Sequence, residues 1–90
     1  MTIEKTMNNR QALTVFLQHF DGTTNTVVTN MDETVFKMKK RLGRKIGCEP
    51  EDLIIYQCAT GTIRVLLDNA IVAQVLQCGG NLLYKEASCM

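Results

Sequence analysis

The sequence predicts an α+β domain, one main α-helix packed on a β-sheet, in the order ββαββ with a small late helical turn. Three observations carry this reading. A period-2 apolar alternation begins at Leu13, a helical period replaces it at Asp32-Glu-Thr34, and β-rich segments return after Pro50. Ninety residues with 46% apolar content can bury one core and leave no room for a second domain.

Residues 1–10 are polar and without period, and are expected to be a disordered lead-in to a domain over residues 11–87, with 88–90 a short tail. Leu13, Val15 and Leu17 share one face of a strand running from Leu13 to Phe20. Asp21-Gly22 supplies a tight turn, and the β-branched run Thr23 to Thr29 reads as the returning strand of a hairpin. Thr34, with Asp32 as second choice, can cap a helix through its side-chain oxygen, and the acids before Thr34 suit the positive dipole end. Val35, Met38, Leu42 and Ile46 then form one narrow stripe, Arg44 and Lys45 occupy the last turn, and Gly47 and Pro50 end the helix. Leu53 to Cys58 is a third strand with Leu53 and Ile55 inward. Thr60-Gly61 is a turn, and Thr62 to Leu67 reads as extended or loop-like. Asp68 to Gln77 holds a short helical turn packing Val72 and Val75. Gly79-Gly80 breaks it before a last strand over Asn81 to Ala87.

From Leu13 to Ala87 this order resembles the ubiquitin-like family, whose fold is the β-grasp. The resemblance rests on the Asp21-Gly22 hairpin tip, the Asp-Glu-Thr-Val35 helix start with Lys-Met-Lys39 after it, and the Gly-Cys-Glu-Pro50 exit. The strands Leu-Ile-Ile-Tyr56 and Asn-Leu-Leu-Tyr84 complete it. It implies a mixed sheet grasping the helix, with the first and last strands parallel at its centre. It also implies that Lys39, about 40° from Val35 around the helix, pairs with an acid after the fourth strand, a place that Asp68 matches.

Several function classes are excluded by what the chain lacks. Ten Lys and Arg oppose nine Asp and Glu, so the near-neutral balance makes no general case for nucleic acid. No apolar run is long enough for a membrane span, and the first ten residues carry no signal-peptide pattern. Reduced cysteines in a cytoplasmic or nuclear, monomeric protein are the expectation. The gaps between Cys48, Cys58, Cys78 and Cys89 fit neither zinc nor iron–sulfur spacing, so no metal and no cofactor is expected. The sole histidine, His19, reads as a solvated loop residue, and no nucleophile–base pair is visible, so the chain is not read as an enzyme and no small-molecule substrate is expected.

Two classes remain for a ubiquitin-like chain. A covalent modifier needs a free Gly-Gly end, whereas Gly79-Gly80 here precedes the last strand and the chain ends Ala-Ser-Cys-Met90. The preferred reading is a non-conjugated, non-covalent adaptor module whose partners are other proteins, ubiquitin-pathway components among the candidates. Alternation turns Phe16, Ile54, Tyr56, Leu83 and Lys85 to the face opposite the helix. The family's recognition patch corresponds by position to Phe20, Tyr56, Leu83 and Lys85, with Lys85 standing where the family carries an apolar group. The alternative site is the basic helix face of Lys37, Lys40, Arg41 and Arg44, suited to an acidic partner or RNA.

Overall fold

A computed structural model describes residues 12–87, so the lead-in and tail read from the sequence lie outside the described residues. The elements are β1 (Ala12–His19), β2 (Thr24–Asn30), α1 (Val35–Ile46), a 3-10 turn (Pro50–Asp52), β3 (Leu53–Ala59), β4 (Thr62–Val65), α2 (Val72–Gln77) and β5 (Asn81–Glu86). The five strands form one mixed sheet in the order β2-β1-β5-β3-β4. β1 and β5 are parallel through Leu17↔Leu82, Gln18↔Leu83 and His19↔Tyr84, and every other pairing is antiparallel. The β-grasp order expected from the resemblance is therefore present, including the central parallel pair.

One face of the sheet holds the core. Val15 and Leu17 of β1, Leu53 and Ile55 of β3, and Leu82 and Tyr84 of β5 are buried against Val35, Met38 and Leu42 of α1. Ile46, the last member of the predicted stripe, is only partly buried at its rim. Each fully buried Leu or Ile contributes about 2–3 kcal/mol of apolar transfer free energy, which is why the alternation in the strands dictates the side they turn inward. Thr34 caps α1 by accepting from the Lys37 N–H at 3.3 Å, and Gly47 ends it with its N–H on the Gly43 carbonyl at 2.7 Å. The start of α1 is also tied to the segment before α2, with Val35 N–H on Ala70 O and Val72 N–H on Glu33 O, both at 2.8 Å.

One stretch differs from its sequence reading. Thr62–Val65, read as extended or loop-like, is a regular strand paired with β3 from Ala59↔Thr62 to Tyr56↔Val65. The turn between them explains it: Thr60 and Gly61 both take positive φ, 50° and 79°, the twist that lets a two-residue loop continue a hairpin. The turn is the one read from the sequence; the four residues after it are too few for alternation to single out a strand.

Lys39 is buried on α1 and its Nζ donates to Asp68 Oδ1 at 2.5 Å, the pairing that the family resemblance implied. The lysine side chain is 9% exposed and the aspartate 54%, so solvent screens one end of the pair. Lys39→Ala is expected to cost about 1–2 kcal/mol, from lost stem packing and a partly stranded carboxylate, and Lys40→Ala less than about 0.5 kcal/mol. Parallel urea titrations of the two variants check this; equal midpoints would refute it.

Candidate functional site

The registers place the second face of the sheet away from α1. It presents Phe16 and Gln18 from β1, Asn81, Leu83 and Lys85 from β5, Ile54 and Tyr56 from β3, and Ile63 and Val65 from β4. Leu83 lies between Gln18 and Tyr56, and Val65 follows beside Tyr56, so one row crosses four strands. Ile54 is opposite Lys85 in the next row. Phe20, just past the end of β1, reaches back over this surface. Its ring centroid is 5.2 Å from that of Tyr56, and Lys85 Nζ stands 5.7 Å from the Phe20 centroid. Both geometries are favourable for a ring with a negative face and a positive edge.

Of the six residues singled out from the sequence, Phe20, Tyr56 and Lys85 are in mutual contact around Phe20, with Leu83 and Ile54 directly beside them. Phe16 stands apart, opposite Thr26 and 65% exposed. The sequence reading missed Ile63 and Val65, which are 60% and 56% exposed and extend the apolar surface to the sheet edge. Val28 of β2, 56% exposed, enlarges it at the other side. Their signal existed, as alternation within Thr62 to Val65, but it counts only once the strand is known to pair. Lys85 is the one charged side chain that these five strands turn to this face.

His19 is not the solvated residue expected. Its side chain is 19% exposed, packs edge-on against Tyr84 at 4.9 Å, and holds Glu86 Oε1 with Nε2 at 2.8 Å. The Asp21 N–H donates to Nδ1 at 3.0 Å, which assigns the neutral-ring proton to Nε2. The parallel pairing of β1 with β5 brings His19 and Glu86 together across 67 positions of sequence, a contact invisible to any local pattern. The hydrogen bond to Glu86 raises the imidazole pKa above 6.5, with burial opposing it and Asp21 reinforcing it. The same bond holds Glu86 below its usual 4.5.

These directions fix a pH window. The raised histidine contributes stability that is complete below about 6.5 and disappears as pH rises through its folded value. The lowered glutamate contributes stability that is present above about 4.5 and is lost as pH falls through its folded value. The pair is therefore strongest between roughly pH 4.5 and 6.5. The fall in melting temperature from pH 6 to pH 8 is expected to be larger for wild type than for His19→Gln. Identical slopes would remove the pair from the account.

Of the basic face read on α1, Arg41 alone has a side chain hydrogen-bonded among the described residues. Arg41 Nη2 binds Glu33 Oε2 at 2.6 Å, and its Nη1 donates to the Val28 carbonyl at 3.0 Å. Lys45 Nζ donates to the Thr26 carbonyl, Lys39 binds Asp68, and Lys40 Nζ lies 5.9 Å from the Phe36 ring centroid. Of the helix cations, Lys37 and Arg44 keep ends without a partner among the described residues. Arg41, expected on the solvated face, is instead half-buried because Glu33 sits below it; that carboxyl pays a burial penalty but is held below its usual pKa by Thr29, the Asn30 N–H and Arg41.

Among the described residues no group of three His, Cys, Asp or Glu is placed to hold a metal ion, and Cys58 and Cys78 are free thiols. No helix is long and apolar enough to cross a membrane. No protein-family model matches the chain, and the curated proteins include no match. Among solved structures, the fold is similar to the RA domain of a guanine nucleotide exchange factor for Rap1. The TM-score is 0.73 at 15% identity, over 97% of this chain and 86% of that one. Two chains so different in sequence share the fold, and the fold is a ubiquitin-like α+β roll.

Proposed function

We propose that the protein is a non-covalent protein-interaction module that binds its partner through the exposed sheet face. The observation that carries this reading is the Phe20–Tyr56–Lys85 cluster, flanked by Ile54, Leu83 and Val65. Aromatic anchors inside an apolar patch, with one cation to orient a partner, are the usual make-up of a binding centre. On the basic helix face only Arg41 is tied down by an ion pair, to Glu33, so Lys37, Lys40 and Arg44 keep that face as the second reading. Placement of Gly79-Gly80 immediately before β5 argues against a conjugated modifier, since cleavage behind Gly80 would remove a strand lying between β1 and β3. The free thiols of Cys58 and Cys78 fit an intracellular setting.

The test is capture of partners by wild type, by a Tyr56→Ala, Leu83→Ala double variant and by a Lys37→Glu, Arg44→Glu double variant. A small GTPase of the Rap1 kind and ubiquitin-pathway proteins belong in the panel. Loss of at least about tenfold in affinity, about 1.4 kcal/mol, is expected for the face variant, with the helix variant unchanged. The reverse result would move the site to α1.

A further inference from the structure

The two edges of the sheet are treated differently by the fold. On β2, the outward carbonyls of Thr26 and Val28 accept from Lys45 Nζ at 2.5 Å and Arg41 Nη1 at 3.0 Å. These helix cations occupy acceptors that an added strand would need. On β4, the Leu66 N–H donates to Ile55 O at 2.9 Å, so Leu66 and, two residues back, Arg64 turn their backbone groups toward β3. Ile63 and Val65 therefore present N–H and C=O outward, and these groups have no partner among the described residues. All four residues of β4 are exposed. The strand carries no Pro or bulge, and its one charge, Arg64, is turned to the inner side and tied to Gln57.

We propose that the β4 edge is a strand-addition site for an extended segment of a partner protein, in which an acidic residue stands between two apolar ones. In an antiparallel pair, opposite residues share a face. Partner residues opposite Ile63 and Val65 therefore meet those side chains on the outer face, and the residue between them meets Arg64 on the inner side. Arg64 is held in place for this contact. Its Nε and Nη2 donate to Gln57 Oε1 at 3.2 and 3.0 Å, which leaves Nη1 for a carboxylate at the edge. A second copy of this chain complements the edge less well, because the twofold pairing that sets Ile63 opposite Val65 sets Arg64 opposite itself. The site shares Val65 with the apolar surface beside the Phe20–Tyr56–Lys85 cluster but uses the backbone edge and Arg64, and the proposal stands whether or not that cluster binds.

The test is an NMR titration of the protein with a blocked synthetic peptide carrying valine–glutamate–valine between pairs of serines, beside the same peptide with arginine at its centre. The glutamate peptide is expected to protect the Ile63 and Val65 amides from hydrogen exchange and to bind at least about tenfold more tightly than the arginine peptide. Arg64→Gln should abolish that preference and Arg64→Glu should invert it. Four results would overturn the site: no protection at millimolar peptide, protection at Thr26 and Val28 instead, equal affinity for both peptides, or edge protection that depends on protein concentration alone.

Discussion

Replacing Gly80 by alanine is expected to lower the unfolding free energy by about 3 kcal/mol, against about 1 kcal/mol for Gly79→Ala, although the two glycines are neighbours. Both take positive φ, 76° at Gly79 and 87° at Gly80, so each substitution carries the left-handed penalty of about 1–2 kcal/mol. What separates them is space. A Cβ on Gly79 would meet nothing within 4 Å, whereas one on Gly80 would stand 2.3 Å from the Cys58 carbonyl oxygen and 2.7 Å from the Ala59 Cβ. The first of those is backbone of β3, which is pinned by pairing to both β4 and β5, so it cannot yield without breaking the ladder. Overpacking of that kind adds roughly 1–3 kcal/mol. Guanidinium titrations with unchanged m-values would measure both losses. Equal midpoints for the two variants would mean that the turn relaxes and that the close approach is not rigid. The same geometry makes this Gly-Gly a structural turn wedged against β3 ahead of a central strand.

The sequence made the periodic parts legible and left the long-range parts hidden, for physical reasons that particular residues show. Val15, Leu17, Val35, Met38 and Leu42 announce themselves because burial selects apolar residues at the spacing of a strand or a helix. Lys39–Asp68 was reachable because Lys39 falls at the edge of the helix stripe and the family resemblance named a partner. His19–Glu86 was not, since the parallel pairing of distant strands creates the contact. β4 stayed between extended and loop-like, although its Thr60-Gly61 turn was legible, because a four-residue strand has too few positions for alternation to stand out. The candidate face was legible in its side, since alternation must choose one, but not in its extent. Ile63, Val65 and Val28 join it only when registers bring them beside Cys58, Tyr56 and Thr14 respectively.

Gln57→Leu is expected to cost about 2–3 kcal/mol even though leucine is nearly the same size and sits at a core-facing position. Alternation sends residue 57 inward after Leu53 and Ile55, and Gln57 is only 3% exposed. A buried amide must have its hydrogen bonds made. Its Nε2 donates to the Val75 and Gly79 carbonyls at 2.7 and 2.9 Å, and its Oε1 accepts from Arg64. α2 has only six residues, too few to persist by its own helix propensity, so its end depends on such outside donors. The Val75 carbonyl also accepts from the Cys78 N–H at 3.1 Å and survives the change with one partner. The Gly79 carbonyl loses its partner and Arg64 keeps only the Cys78 Sγ at 3.7 Å, while Leu at 57 also removes the buried amide's own hydrogen bonds, at roughly 0.5–1.5 kcal/mol each. Calorimetry gives the global loss, and amide exchange locates it. Faster exchange should be confined first to α2 and the Gly79-Gly80 turn, with β1 and α1 protected as before. Gln57→Glu separates the donor from the acceptor role. The carboxylate keeps Arg64 but faces two carbonyl oxygens, so its folded-state pKa is raised and the variant should gain stability as pH falls toward 4.5. A leucine variant as stable as wild type would show that α2 is held by Val72 and Val75 packing alone, and that β4 needs no polar tie to the body of the sheet.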